Sequence, residues 1–143
     1  MSPECGDYIE LVGKVFSGLG EGEFYVNLYA RNFHRVLGIR PYPGTLNVRL
    51  NSRSVELAEK CLKREYAILV DPPLEGYGRV CVWPAYIKCL RVFVIRPEKT
   101  VYKRDVIELI SDKNLREVFN LVDGDLIRVQ VALNNNWTPP YCI

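Results

Sequence analysis

At 143 residues, 48% of them hydrophobic and 25% charged, the chain has the make-up of one globular domain (residues 1–143) rather than of a disordered segment. A formal net charge of +2, with no block of Lys and Arg, argues against nucleic acid as the main partner. No apolar run approaches the roughly 20 residues of a membrane span, and Met1-Ser2-Pro3-Glu4-Cys5 lacks a basic-then-apolar leader pattern, so a cytoplasmic monomer acting on small molecules, with no membrane or nucleic-acid partner, is expected.

Tyr8 to Phe16 alternates Ile9, Leu11, Gly13 and Val15 against Glu10, Val12 and Lys14, the period of a half-buried strand. It stops at Ser17-Gly18-Leu19-Gly20-Glu21-Gly22, where three glycines in five positions free the backbone and let amide N–H groups approach a phosphate. No Gly-Lys-Ser/Thr follows, so this is not a Walker loop. The β-rich run Glu23 to Tyr29 reads as a second strand, and Asn32 to Leu37 as a short helix capped by Asn32 and stopped by Gly38. Pro41-Tyr42-Pro43-Gly44 forces a turn. Beyond it Leu46, Val48 and Leu50 share one strand face and Thr45, Asn47 and Arg49 the other. Thr45 and Asn47 then lie about 7 Å apart on that polar face. A hydroxyl and a carboxamide so placed suit a hard cation that keeps most of its water.

Ser54 to Lys63 reads as a helix with Ser54 as its cap. Tyr66 to Val70 and Gly78 to Val82 read as strands, the second broken or bulged at Pro84. Ile87 to Ile95 is one long β-rich run, and Thr100 to Ile110 reads as a helix burying Val106, Ile107, Leu109 and Ile110. Asn114 caps a helix over Leu115 to Phe119, Asp123-Gly124-Asp125 marks a tight turn, and Leu126 to Val131 alternates as a closing strand. The tail over 134–143 is expected to be loose, with Trp137 and Tyr141 able to dock it. None of the five cysteines is paired at C-x-x-C spacing, which argues against zinc. Cys81 and Cys89 read as buried small residues, with disulfides open to a source that lives hot. His34, the single histidine, reads as a surface or helix-end residue. Many short strands with helices inserted between them favour a mainly β, antiparallel barrel of about six strands.

Four stretches together resemble the archaeal CTP-dependent riboflavin kinases: Ser17 to Gly22 with Phe24-Tyr25; Leu37-Gly38 with Pro41 to Asn47; Pro97 to Tyr102 with Glu108; and Asn114-Leu115-Arg116 leading into Leu121 to Asp125. Order and spacing agree over about residues 10 to 131. The resemblance implies a small closed cradle-loop β-barrel with short inserted helices. It implies that Gly18, Leu19, Gly20, Glu21, Gly22 and Glu23 hold the nucleotide, with Lys113, Asn114, Leu115 and Arg116 on its other side. Thr45 and Asn47 would coordinate Mg²⁺, and Thr100 and Glu108 would contact the flavin. Glu23 departs from the family where relatives carry a basic residue, so only its backbone is expected to take part.

The implied reaction is CTP plus riboflavin giving CDP plus FMN. Arg116 is the candidate partner for phosphate or base, Glu108 the candidate to orient the ribityl 5′-hydroxyl or accept its proton, and Tyr42, Trp83 and Tyr102 the candidate walls for the flavin ring. The residues leave two alternatives open: a non-catalytic swapped-hairpin barrel that binds DNA as a dimer, and a flavin kinase that uses ATP.

Overall fold

The computed structural model describes residues 5–100 and 102–142. Seven strands form one antiparallel sheet: β1 (Tyr8–Phe16), β2 (Leu46–Leu50), β3 (Ile68–Val70), β4 (Val80–Ile87), β5 (Leu90–Pro97), β6 (Val106–Ile110) and β7 (Leu126–Ala132). The order β4-β5-β6-β2-β1-β7 closes on itself through the β4–β7 pairing, giving a six-stranded barrel with β3 added outside β4. Closure removes the open edges a flat sheet would expose. Among the described residues three α-helices interrupt the strands, α1 (Gly22–Leu37), α2 (Ser52–Cys61) and α3 (Leu115–Val118), with one 3₁₀ turn at Arg64–Tyr66. Among the described residues no helix is long and apolar enough to cross a membrane.

Two apolar clusters hold the fold. The barrel interior is filled by Leu11, Val15, Val48, Trp83, Val94, Ile107 and Val129, and α2 adds Ala58 and Cys61 to it. The second cluster lies outside the barrel wall, where α1 sets Val26, Tyr29 and Phe33 against Val80, Val82, Phe93, Ile95 and Ile110. These two layers leave β4 buried on both faces along its whole length.

Several local expectations fail for identifiable reasons. Glu23 to Tyr29 is not a strand. Val26, Tyr29 and Phe33 recur at helical spacing, and that period prevails over their β propensity. Asn32 is therefore no cap but a mid-helix residue, its side-chain amide donating to the Asp71 carbonyl at 2.8 Å. The stop at Gly38 holds, in the left-handed conformation (φ 76°). Thr100 to Ile110 is not a helix: its last five residues are β6, with Ile107 and Leu109 turned into the barrel and Ile110 packed on its outside. Val101, within that span, lies outside the described residues. The long run Ile87 to Ile95 is split by a hairpin whose two central residues, Lys88 and Cys89, both take positive φ without a glycine to advertise the turn. Pro84 does not break β4. It falls between the last β3 partner (Val82) and the first β7 partner (Ala85), where its missing N–H costs no ladder bond on that side. Helix α2 is capped by Asn51, whose side chain accepts from the Ser54 N–H, while the Ser54 hydroxyl is buried and accepts from the Val12 N–H.

Of the two cysteines expected to be buried, Cys81 is, whereas Cys89 is exposed in the hairpin turn. Cys5 pairs with Cys61 and Cys89 with Cys142, leaving Cys81 as a buried free thiol. In the described part of the tail, Trp137 and Tyr141 are the docking residues, as their place in the sequence allows. Trp137 stacks on Tyr8 with ring centres 4.3 Å apart, and the Tyr141 hydroxyl donates to Gln130 at 2.6 Å.

Candidate active site

The site grows from the β2–β6 ladder. Asn47 on β2 is the cross-strand partner of Glu108 on β6, and Thr45 immediately precedes β2. Their side chains converge. The Thr45 hydroxyl lies 3.3 Å from Asn47 Oδ1 and 3.4 Å from Glu108 Oε1, so its single proton serves one or the other. Asn47 is 8% exposed, one of few buried polar side chains among the described residues. Burial raises the Glu108 carboxyl from its ordinary value to about 7, partly offset by the Thr45 hydrogen bond. Strand pairing fixes the backbones of Asn47 and Glu108, and Thr45 stands at the foot of β2 next to the paired Leu46.

The glycine stretch lies directly over this cluster. A Cβ on Gly18 would collide with the Asn47 amide and the Tyr102 hydroxyl. A Cβ on Gly22 would come within 2.6 Å of the Thr45 hydroxyl oxygen. These two glycines are needed for close approach, and Gly20 for its positive φ of 80°. The loop is clasped by the Leu19 N–H donating to the Tyr102 hydroxyl at 2.9 Å. It then runs into the first turn of α1, so the unpaired amides of a 16-residue helix open beside Thr45.

Three hollows meet here. One of about 190 Å³ is lined by Tyr42, Thr45, Lys113, Asn114, Leu115 and Arg116. A larger one of about 510 Å³ includes Trp83, Arg96, Thr100, Tyr102 and Glu108 in its wall. A small one of about 80 Å³, with Gly22, Tyr25, Thr100, Tyr102 and Glu108 in its lining, joins the glycine loop to the larger hollow. Thr45 lines the first space and Glu108 the other two, so their 3.4 Å contact stands between the hollow of about 190 Å³ and the other two.

The sequence-derived candidates sort accordingly. Thr45, Asn47 and Glu108 form one cluster, which spacing alone did not reveal, because Glu108 was expected near a helix end. Lys113 to Arg116 sit across the smaller hollow from Thr45, with Asn114 capping α3 and donating to the Tyr42 hydroxyl at 3.1 Å. Gly18 to Gly22 form the loop above the cluster, while Glu23 is already in α1. Of the three aromatics, Trp83 and Tyr102 line the larger hollow and Tyr42 the smaller. Tyr102 as clasp of the glycine loop was missed; its place just after Thr100 was the available hint.

A family model named CTP-dep_RFKase, described as a domain of unknown function, DUF120, matches residues 15–131. The chain belongs to this family of CTP-dependent riboflavin kinases. It is similar to the protein named riboflavin kinase of Aeropyrum pernix, 43% identical over 132 residues that cover 90% of this chain and 97% of that one. It is 42% identical to the riboflavin kinase of Staphylothermus marinus over 121 residues, 85% of this chain and 90% of the relative. The riboflavin kinase of Pyrobaculum aerophilum is longer: 38% identity over 130 residues covers 87% of this chain but 61% of the relative. Riboflavin kinases are phosphotransferases, and family membership makes this chain one.

Proposed function

We propose that the chain transfers the γ-phosphoryl group of CTP to the 5′-hydroxyl of riboflavin, giving FMN and CDP, with Mg²⁺ bound at Thr45 and Asn47. The observation that carries this reading is the 3.4 Å contact between Thr45, which lines one hollow, and Glu108, which lines the larger one, so a donor and an acceptor bound there would meet at one point. Cytosine as the base rests on family membership.

The residues fit the ion. Thr45 and Asn47 offer neutral oxygens, the hard donors that Mg²⁺ accepts while keeping water and phosphate oxygens. Bound there, it would neutralise charge on the phosphates. The chain's own groups supply the rest. Loop amides from Gly18 to Gly22 and the start of α1 donate to the phosphate oxygens, and the lack of a Cβ at Gly22 lets that chain lie against Thr45. Lys113 to Arg116 close the nucleotide from the opposite side. Riboflavin enters the larger hollow with its ribityl chain toward Glu108 and Thr100. The 5′-oxygen forms the new bond to phosphorus, the bond from that phosphorus to the bridging oxygen breaks, CDP leaves, and the hydroxyl proton passes to Glu108. A carboxylate held near 7 is poised to take that proton at neutral pH. Phosphoryl transfer asks for positioning and charge stabilisation above all, which rigid strand-borne groups provide.

The test is incubation of the pure protein with riboflavin, Mg²⁺ and each of the four common nucleoside triphosphates in turn. FMN is expected with CTP. No FMN with any donor overturns the reading, and equal turnover with ATP overturns the choice of base.

A further inference from the structure

The turn at Asp123 does more than reverse the chain. Its carboxylate divides its two oxygens between the root of the glycine loop and Arg116, which lines the hollow of about 190 Å³. Oδ2 accepts from the Ser17 hydroxyl at 2.7 Å, at the root of the glycine loop, and Oδ1 accepts from Arg116 Nη2 at 2.7 Å. The same Nη2 also donates to the Phe16 carbonyl at 3.2 Å, where β1 ends. Both bonds use one nitrogen of the guanidinium, so Nε and Nη1 lie outside this clasp. The turn that carries Asp123 is itself fixed to β1. The Val15 N–H donates to the Asp125 carbonyl at 2.9 Å, the Gly124 N–H to the Val15 carbonyl at 2.7 Å, and Asp125 Oδ2 accepts from the Val122 N–H at 2.9 Å. The carboxylate therefore has a defined position, set by the barrel, from which it reaches two segments far apart in the chain, at Ser17 and Arg116.

We infer that Asp123 is a positioning residue for the nucleotide: it holds the glycine loop and Arg116 at the spacing a bound triphosphate needs, without touching the ligand itself. Nothing in the turn's sequence marks this role, since Asp-Gly-Asp is accounted for by chain reversal alone. The two hydrogen bonds also hold the Asp123 carboxyl below the usual carboxylate range, so it stays charged across the working pH. Charge-assisted bonds of this length are the stronger kind. Because the clasp is exposed, its value lies in geometry rather than in the stability of the fold.

The inference rests on the nucleotide site proposed above, and the experiment separates the two. Titration calorimetry with Mg–CTP, without flavin, measures the donor site alone. Asp123→Ala is expected to weaken Mg–CTP binding at least 10-fold, and Asp123→Asn or Ser17→Ala about 3-fold each. Riboflavin binding, followed by its fluorescence, should stay within twofold, and the melting temperature should hold. In turnover, the KM for CTP rises while kcat at saturating CTP changes little. Wild-type binding of Mg–CTP by Asp123→Ala overturns the inference, as does parallel weakening of riboflavin. Should Asp123→Ala not fold, Ser17→Ala decides, since it removes one arm and leaves the turn intact; unchanged affinity there overturns the inference equally. A wild-type protein that binds none of the nucleoside triphosphates refutes the donor-site reading instead.

Discussion

The floor and the roof of the site are built on opposite principles. The floor is built on strand: Asn47 and Glu108 are fixed by paired backbones in β2 and β6, and Thr45, at the foot of β2, reaches both with its hydroxyl. The roof is glycine loop: Gly18, Gly20 and Gly22 contribute no side chains, and the loop is held by single bonds to Tyr102 and Asp123. The difference separates two tasks. Groups that must face the reacting atoms sit where geometry cannot drift, whereas the part that must fold around a long, flexible triphosphate sits where backbone can adapt.

Mutations can test that division, and the largest effects should come from the floor. Thr45→Ala and Asn47→Ala are expected to fold as the parent does and lose Mg²⁺-dependent turnover by about 1,000-fold, measured as FMN formed per minute; full activity in either variant removes the metal site. Glu108→Gln should lower kcat by about 100-fold; an unchanged rate rules out proton abstraction there. The same substitution has a second, opposite effect on stability. Without ligands or metal, the Glu108 carboxyl lies near 7 when folded against an ordinary 4.5, so its contribution is fully present below about 4.5 and is lost as pH rises through 7. Thermal melts in EDTA at pH 8 should therefore find Glu108→Gln more stable than the parent, by about 1–3 kcal/mol. The roof comes next: Gly18→Ala forces a methyl against Asn47 and Tyr102 and should raise the KM for nucleotide about 10-fold, with a smaller change in kcat. Smallest for activity is reduction of the disulfides. Dithiothreitol should leave turnover at 25 °C unchanged yet cost about 2–4 kcal/mol per bridge, seen as a lower melting temperature.

The floor and the roof were also unequally legible in the sequence. Thr45 and Asn47 could be paired from strand alternation, and Gly18 to Gly22 stood out as a phosphate-approaching loop. Their convergence could not be read, because β6 looks like a helix when only Val106, Ile107, Leu109 and Ile110 are counted. Five apolar-rich residues buried on both faces satisfy either period. Helix α1 was obscured the other way, its first half being rich in Phe, Tyr and Val while the core contacts recur at helical spacing. A mainly β chain of short strands was legible in the alternating runs, but not which runs build the barrel: Glu23 to Tyr29 lies in α1, and the end of the expected helix is β6. The Lys88–Cys89 hairpin was invisible because neither residue is a turn former, and the two disulfides because partners 53 and 56 residues apart leave no local trace. Asp123 was seen only as a turn for the same reason: its partners come from distant segments.

The β4–β7 pairing closes the barrel with only two residue pairs, Ala85 with Val131 and Tyr86 with Gln130, against seven between β1 and β7. This is the seam along which the cylinder would unzip. The chain end is laid across it like a strap: Cys142 is tied to Cys89 at the tip of the β4–β5 hairpin, and Trp137 sits beside both Tyr8 and Tyr86. A chain shortened before Trp137 would keep every strand and every group of the site, yet the amides along the seam should exchange with solvent deuterium well before the rest of the wall.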